Sequence, residues 1–569
     1  MENQRLLVVF ALLFVMFLIW QRWLDFQAQK HPPAPPPQAT TTTTTDSTTA
    51  TQPPAQPEVG SDRLDMPSVA APADTSAPAA ELHSAQRVRV LTDLFEVEID
   101  TALGDLRYVG LRTFPESLQQ QDQPFALLKD NGSEIFIAQS GLLSSDPTLA
   151  LPNHYTENDF RFSAEQSEYR LKDGEETLDV ALTWTSESGL KLIKTYSFQR
   201  GSFVIDLTHR VENGSAEDWT GRQYRQFLRT PPPTKSGGFF TGGVYTYTGG
   251  VISTPAQRYE KVSFDDMAEK DLSMEVTGGW VAMIQHYFLG AWIPEQDRIN
   301  GFFTRKTPGL NRYVIGMVAQ DRSVAAGETL SFNTRLYVGP KIQDQLEEVA
   351  PNLRLTVDYG FLTVIAQPLF WLLELIHTVV RNWGWAIIVL TILIKAAFFK
   401  LSETSYKSMA NMRRLAPKMA QMKERYGDDK QRMNQAMMDL YKKEKINPLS
   451  GCLPIAVQIP VFIALYWVLL ESVELRQAPF MLWIQDLSIK DPYYVLPLIM
   501  GVTMFIQQKL NPAPPDPIQP KVMMALPVVF TFFFLFFPAG LVLYWVVNNV
   551  LSIAQQYVIT KRIEAGAKA

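Results

Sequence analysis

The chain has 569 residues, a formal net charge of −6 and a single cysteine, Cys452. One cysteine excludes an intrachain disulfide, and its place in an apolar run reads as a buried, inert thiol. The average charge conceals a division: residues 31–360 carry 43 acids against 28 lysines and arginines, whereas the remainder carries 15 against 24. An acidic, water-soluble part is therefore joined to a basic part rich in long apolar runs.

In chain order, Leu6 to Trp20 is a strongly apolar run after a short polar start. A cleaved signal peptide is one reading, but no small-x-small cleavage site follows; Gln21, Arg22, Trp23 and Leu24 do. The sequence predicts an uncleaved transmembrane anchor over 1–24. Residues 25–87 are rich in Pro, Thr and Ala, with consecutive threonines at Thr40–Thr45, and hold too few large apolar residues to bury a core. They read as a flexible tether.

From Val88 to Pro340 the pattern changes to period two. FEVEID (Phe95–Asp100), DVALTW (Asp179–Trp184), FVIDLTHRV (Phe203–Val211) and LSFNTRLYV (Leu330–Val338) alternate apolar and polar residues, with Gly, Asn and Asp clusters between them. That is the signature of half-buried antiparallel sheets, and about 250 residues suit one large β-sandwich. The Gly-rich stretch Gly237–Gly250 has no phosphate-loop spacing and reads as turns. His154, His209 and His286 are too scattered to suggest a metal site and read as structural histidines.

Residues 341–382 predict helices. Pro368–Val380 is apolar with Glu374 and His377 interspersed, which suits a helix lying along the membrane interface. Trp383–Ser402 is long enough to span a bilayer, about 20 residues. Residues 403–447 carry a basic excess, with apolar residues recurring at Met412, Leu415, Met419, Met422 and Tyr426, then at Met433, Met437, Leu440 and Tyr441. They predict a mobile, weakly docked helical hairpin turning at Gly427-Asp428-Asp429. Further spans are predicted at 448–470, 493–508, 522–538 and 539–558, separated by loops 471–492 and 509–521 and followed by a basic tail, 559–569. The hairpin, the second loop and the tail carry the lysines and arginines, whereas 471–492 is acidic. The positive-inside rule then places both termini in the cytoplasm, with the β-domain and loop 471–492 outside.

The spans contain polar exceptions. A lysine at membrane depth costs roughly 3 kcal/mol or more and marks a functional site by default. Lys395 is such a residue, and Thr391 shares its helix face one turn earlier. Gln458 lies between Pro454 and Pro460, and in the last span Tyr544 with Asn548 and Trp545 with Asn549 stand four residues apart. Such groups can simply hydrogen-bond helices together. Alternatively, they line a water-filled cavity, a reading favoured by the lack of any acidic partner for Lys395 in the spans. Proton and ion transporters place carboxylates at this depth, and here there are none. No nucleophile triad, metal-ligand set or nucleotide loop appears in the spans.

NPLSGCLPIAVQIPVFIALYWVL (Asn447–Leu469), ELRQAPFMLWIQDLS (Glu474–Ser488), DPYYVLPLIMGVTMFIQQKL (Asp491–Leu510), FFPAGLVLYWVVNN (Phe536–Asn549) and the hairpin segment beginning at Lys418 resemble the YidC membrane protein insertase family of Gram-negative inner membranes. The resemblance covers nearly the whole chain. It implies a six-span α-helical membrane protein with a five-helix insertase core and an all-β periplasmic supersandwich over 88–340. It implies a catalyst of insertion and folding of nascent membrane proteins, not an enzyme of covalent chemistry and without a metal or cofactor, acting alone or with the Sec translocon, with the ribosome and membrane lipids as further partners. A hydrophilic groove would be lined by Lys395, Thr391, Gln458, Tyr544, Trp545 and Asn548, and substrates would leave between the third and fifth spans. Two departures stand out: the family's groove cation is usually arginine where Lys395 stands, and Trp545 occupies a frequent tyrosine position. A solute transporter would instead need duplicated halves, and a membrane-anchored sugar-active enzyme would need paired carboxylates in the β-domain.

Overall fold

The computed structural model describes residues 82, 84–154, 160–233, 246–426, 429–443, 453–510 and 519–566. The predicted anchor, nearly all of the tether, Cys452, most of the Gly237–Gly250 stretch and the tip of the hairpin turn lie outside the described residues. The chain divides into two compact units, Met1–Arg63 with Pro514–Met523, and Leu64–Ala513 with Met524–Ala569. Of the first, Gln519–Met523 are described, as the opening of a helix. The second holds the β-domain and the other helices.

Alternation becomes strand where the sequence placed it. Phe95–Asp100 is a strand at those bounds, with Phe95, Val97 and Ile99 turned inward and Glu96 and Glu98 outward. The other three alternating runs align with Thr177–Thr185, Val204–Asn213 and Thr329–Pro340. Among the described residues the strands form two sheets, of eleven and nine members. Pairing is antiparallel except where Arg87–Leu91 meets Glu168–Arg170. The sheets share one core: Phe95 meets Phe198 edge-on, Phe114 meets Phe288, and Phe227 packs on Trp292 from the opposite sheet. Aromatic pairs in offset or edge geometry add to the burial of their large apolar surfaces.

The helices are α1 (Phe264–Glu269), α2 (Gln343–Val349), α3 (Thr363–Val380), α4 (Trp383–Ala397), α5 (Phe399–Tyr426), α6 (Lys430–Lys443), α7 (Leu453–Glu471), α8 (Val495–Leu510), α9 (Gln519–Phe534) and α10 (Ala539–Gly566). With its preceding turn, α3 forms the run Gly360–Val380, the one described unbroken helix both long and apolar enough to cross a bilayer. Its two ends nevertheless meet one short segment of chain. Tyr359, just before it, lies beside Ser472, and Asn382, just after it, donates to the carbonyls of Pro479 and Phe480. Asn382 also caps α4 by accepting from Trp385 N–H, so the turn between α3 and α4 is fixed on both sides.

Three boundaries differ from the sequence reading. The expected span 383–402 is broken at Phe398, where the chain bends by 66° between α4 and α5. Phe398 leaves helical geometry at φ −90°, ψ 10°, its N–H shared between Ile394 and Ala396 carbonyls. The expected span 522–538 ends as a helix at Phe534, and 535–538 form turns before α10. The basic segment 559–569 is helical through Gly566, because nothing between Tyr557 and Ala565 interrupts a helix. Its last turn accepts a hydrogen bond from Arg414 of α5 to the Ile563 carbonyl, so the hairpin is tied to α10.

Helix direction follows from paired contacts. Ile387 lies near Gly540 and Lys395 near Ser552, so α4 and α10 run the same way. Thr503 meets Asn549 and the Leu510 carbonyl meets Gln556, so α8 runs with them. The starts of α4 and α10 and the end of α7 all meet the segment 470–491, which also touches the β-domain. Two glycines permit close helix approach: a Cβ on Gly384 would lie 2.1 Å from the Phe480 ring, and one on Gly501 would lie 2.0 Å from Thr531 Oγ1 of α9.

Candidate functional site

Helix α10 carries most of the candidate groove, because its polar residues recur every four positions: Tyr544, Asn548, Ser552 and Gln556. Lys395 reaches it from α4. The ammonium donates to Ser552 Oγ at 2.8 Å, with Lys395 7% exposed and Ser552 3%. The Ser552 hydroxyl in turn donates to the Asn548 carbonyl at 2.7 Å, and Tyr406 of α5 lies beside Ser552. Among the described residues no carboxylate lies within ion-pairing distance of Lys395. Beside this group, Asn549 donates to Thr503 Oγ1 at 3.2 Å and Gln556 donates to the Leu510 carbonyl. Ser402 and Ser405 are buried at the start of α5.

The residues singled out by sequence separate into two clusters. Lys395 and Asn548 belong to the polar one, the latter through its carbonyl. Thr391 lies on the same face but gives its hydroxyl to the Ile387 carbonyl of its own helix at 2.6 Å. Tyr544 and Trp545 belong to an aromatic cluster that joins three helices. Phe462 of α7 stacks on Tyr544 and meets Trp545 edge-on, and Trp545 packs on Phe534 of α9. Among the described residues the buried Trp545 indole N–H has no hydrogen-bond partner, and the side chain contributes apolar surface to the cluster. Gln458 is half-buried on α7, a half-turn before Pro460. Ser552, Thr503 and Gln556 were not singled out, although the four-residue spacing from Tyr544 and Asn548 pointed to Ser552 and Gln556.

The β-domain treats its buried charges differently. Asp105 pairs with the His154 ring at 2.9 Å and with Arg107 at 3.6 Å, and Gln139 approaches both Asp105 and His154. Burial alone would raise the Asp105 carboxyl, but His154, Arg107 and Lys194 outweigh it and hold it at about 2. Burial lowers Lys194 to about 8 against the pull of Asp105, and its ammonium donates to the Leu103 and Ser140 carbonyls. Arg225 donates to Gln223 and Asn300, and His209 shares a hydrogen bond with Gln223. The cavity between Lys194, His209 and Ser140 is about 10 Å³, barely room for one water and none for a sugar. Among the described residues no three His, Cys, Asp or Glu side chains gather to hold a metal.

A third constellation joins the β-domain to the helices. Arg476, just beyond α7, lies over the rings of Phe125 and Phe288 and donates to the Pro115 carbonyl at 2.7 Å; Gln477 donates to the same carbonyl. His286 lies 2.9 Å from the Leu470 carbonyl, and Lys341 and Glu471 face each other, both buried, at 3.9 Å.

Large apolar side chains stand exposed along the helices, among them Val364, Trp371 and Val379 on α3 and Val528, Val529 and Phe532 on α9. A soluble protein rarely leaves so extensive an apolar surface bare. With a buried lone cation inside, these features define an integral membrane protein carrying a large β-sandwich. A model of the YidC periplasmic domain matches residues 87–372, and one of the 60Kd inner membrane protein family matches 375–566. The membrane protein insertase YidC of Thioalkalivibrio sulfidiphilus is 53% identical over the full length of both chains. That of Nitrosococcus oceani is 51% identical over 99% of each. A crystal structure of an active YidC insertase with its first transmembrane domain resolved covers 84% of this chain and 93% of its own, at 16% identity and a TM-score of 0.37. The chain belongs to the YidC family of membrane protein insertases, inner-membrane proteins that are not enzymes.

Proposed function

We propose that this protein inserts nascent membrane proteins through a polar groove between α4, α8 and α10, in which the Lys395 ammonium draws in acidic substrate tails. One observation carries the reading. A buried cation is held by a neutral hydroxyl, so its charge is oriented but not cancelled. In a low-dielectric surrounding that charge attracts a carboxylate more strongly than in bulk water. The attraction is transient, because a tail held permanently could not pass to the far side. Apolar segments then leave past the aromatic cluster of Phe462, Tyr544, Trp545 and Phe534, between α7 and α9, whose outer faces are apolar. Thr391, Gln458 and Asn548 border this path.

The proposed topology is six spans with both termini in the cytoplasm and the β-domain in the periplasm. The lysine and arginine distribution supports it, as does the shared direction of α4, α8 and α10. We place α3 along the periplasmic interface, because both of its ends meet the segment 472–480. The basic surface of α5, α6 and the end of α10 faces the cytoplasm and engages ribosomes through salt-sensitive contacts, with the Sec translocon and lipids as further partners.

The test is protease protection of a substrate's translocated tail after a short pulse. Lys395→Arg keeps the charge and should translocate acidic tails normally. Lys395→Ala should slow them about tenfold or more and spare neutral tails, and Lys395→Glu should be worst. Normal rates for acidic tails in the Ala and Glu variants would remove the groove charge from the mechanism.

A further inference from the structure

Lys395 has one side-chain partner among the described residues, and that partner has little freedom. A serine hydroxyl offers one donor and two acceptor positions. The single Ser552 hydrogen is committed to the Asn548 carbonyl at 2.7 Å, one turn back on α10. A lone pair is thereby turned toward Lys395, at 2.8 Å. The partner stands 157 residues away in sequence, so the contact also ties α4 to α10. Thr391, on the same face of α4, donates to the Ile387 carbonyl of its own helix and does not join α4 to α10.

We propose that Ser552 is the positioning residue of the groove: it parks the Lys395 ammonium between substrates, and an acidic tail displaces it. This rests on the groove reading above. The choice of a neutral hydroxyl is what makes the exchange possible. The Lys395–Ser552 bond has one ionised partner, whereas a carboxylate brings a full opposite charge and makes an ion pair with the ammonium, strengthened by the low-dielectric surrounding. A substrate carboxylate therefore wins Lys395 from Ser552. When the tail has passed, the hydroxyl, still oriented by Asn548, takes the ammonium back. A resident carboxylate at this position would instead hold Lys395 permanently and cancel its charge.

The experiment uses the full-length protein in proteoliposomes and two single-span substrates that differ only in an acidic or a neutral translocated tail. The readout is protease protection of the tail. Ser552→Asp should lower acidic-tail translocation about tenfold at neutral pH and leave the neutral tail unchanged. The defect should fade as the pH is lowered and the new carboxyl is protonated. Ser552→Thr, which keeps the hydroxyl, should match the parent. In a Lys395→Ala background, Ser552→Asp should add nothing. Normal acidic-tail translocation by Ser552→Asp, alongside impaired Lys395→Ala, would overturn the parking role while leaving the groove charge in place. Equal losses for both tails, unmoved by pH, would also overturn it, since that is the mark of a helix contact alone. If Lys395→Ala itself translocates acidic tails normally, the groove reading fails first.

Discussion

The β-domain and the helical region each bury charged side chains, and they dispose of them in opposite ways. In the sandwich, Asp105 is surrounded by His154, Arg107 and Lys194, and Arg225 by Gln223 and Asn300. Every one of those charges has a partner of opposite sign or an oriented amide or carbonyl. In the helices, Lys395 has a hydroxyl. A neutralised buried network specifies a fold, whereas a buried charge left uncancelled is available to something that arrives from outside. On the groove reading proposed above, the same side-chain chemistry is structural in one half and functional in the other.

The largest perturbation that separates the halves is deletion of residues 90–320. It removes the Asp105 network and the Phe125, Phe288 and Pro115 partners of Arg476, but leaves Lys341, α3 and the groove. Cells carrying the deletion should remain viable and insert their substrates; a general loss of insertion would show that the sandwich is part of the machinery. At single residues, Asp105→Ala leaves the buried Arg107 and Lys194 cations without their carboxylate and should cost the β-domain about 3–5 kcal/mol. Chemical denaturation of the full chain in detergent would measure this, and substrate insertion at permissive temperature should be intact. Lys395→Met should do the reverse, preserving stability while impairing acidic tails.

The junction between the halves supplies the smaller effects. Arg476→Ala removes a charged hydrogen-bond donor and a cation over two rings, and should destabilise the docking of the β-domain by about 2 kcal/mol. Arg476→Lys should recover only part of this, because an ammonium lacks the planar fork. Limited proteolysis of the antiparallel strand pair Asp105–Ser117 and Gln120–Asp130, which carries Pro115 and Phe125, would report both. His286 adds a pH dependence. Burial lowers its pKa from the ordinary 6.5 to about 4, so the folded junction holds it neutral. The unfolded state binds the extra proton first, so stability should fall as the pH drops from about 6.5 toward 4. A thermal-unfolding midpoint that follows this slope in the parent, and loses it in His286→Gln, would confirm the assignment.

How much of this was legible in the sequence follows the range of the interactions. The strands Phe95–Asp100 and Val204–Asn213 were readable, because alternation acts within a few positions. Lys395 was readable because its cost is local: a cation within an apolar run. Its partner was not, since serine is unremarkable in a helix and Ser552 lies far along the chain. The bend at Phe398 carries no proline or glycine to announce it, and the clamp of Arg476 on Phe125 and Phe288 depends on a fold assembled from distant strands. Trp545 could be seen as a departure from the family's pattern, but its membership of an aromatic cluster required Phe462 and Phe534 to be placed beside it.

The account stands on the claim that charge at position 395, rather than shape, governs which tails cross. The most direct test is a charge swap: Lys395→Glu paired with a substrate whose acidic tail residues have been replaced by lysines, scored by protease protection of that tail. The account predicts that Lys395→Glu blocks the acidic tail and restores passage of the basic one above the parent's rate. Equal failure on both tails, or equal success, would contradict it.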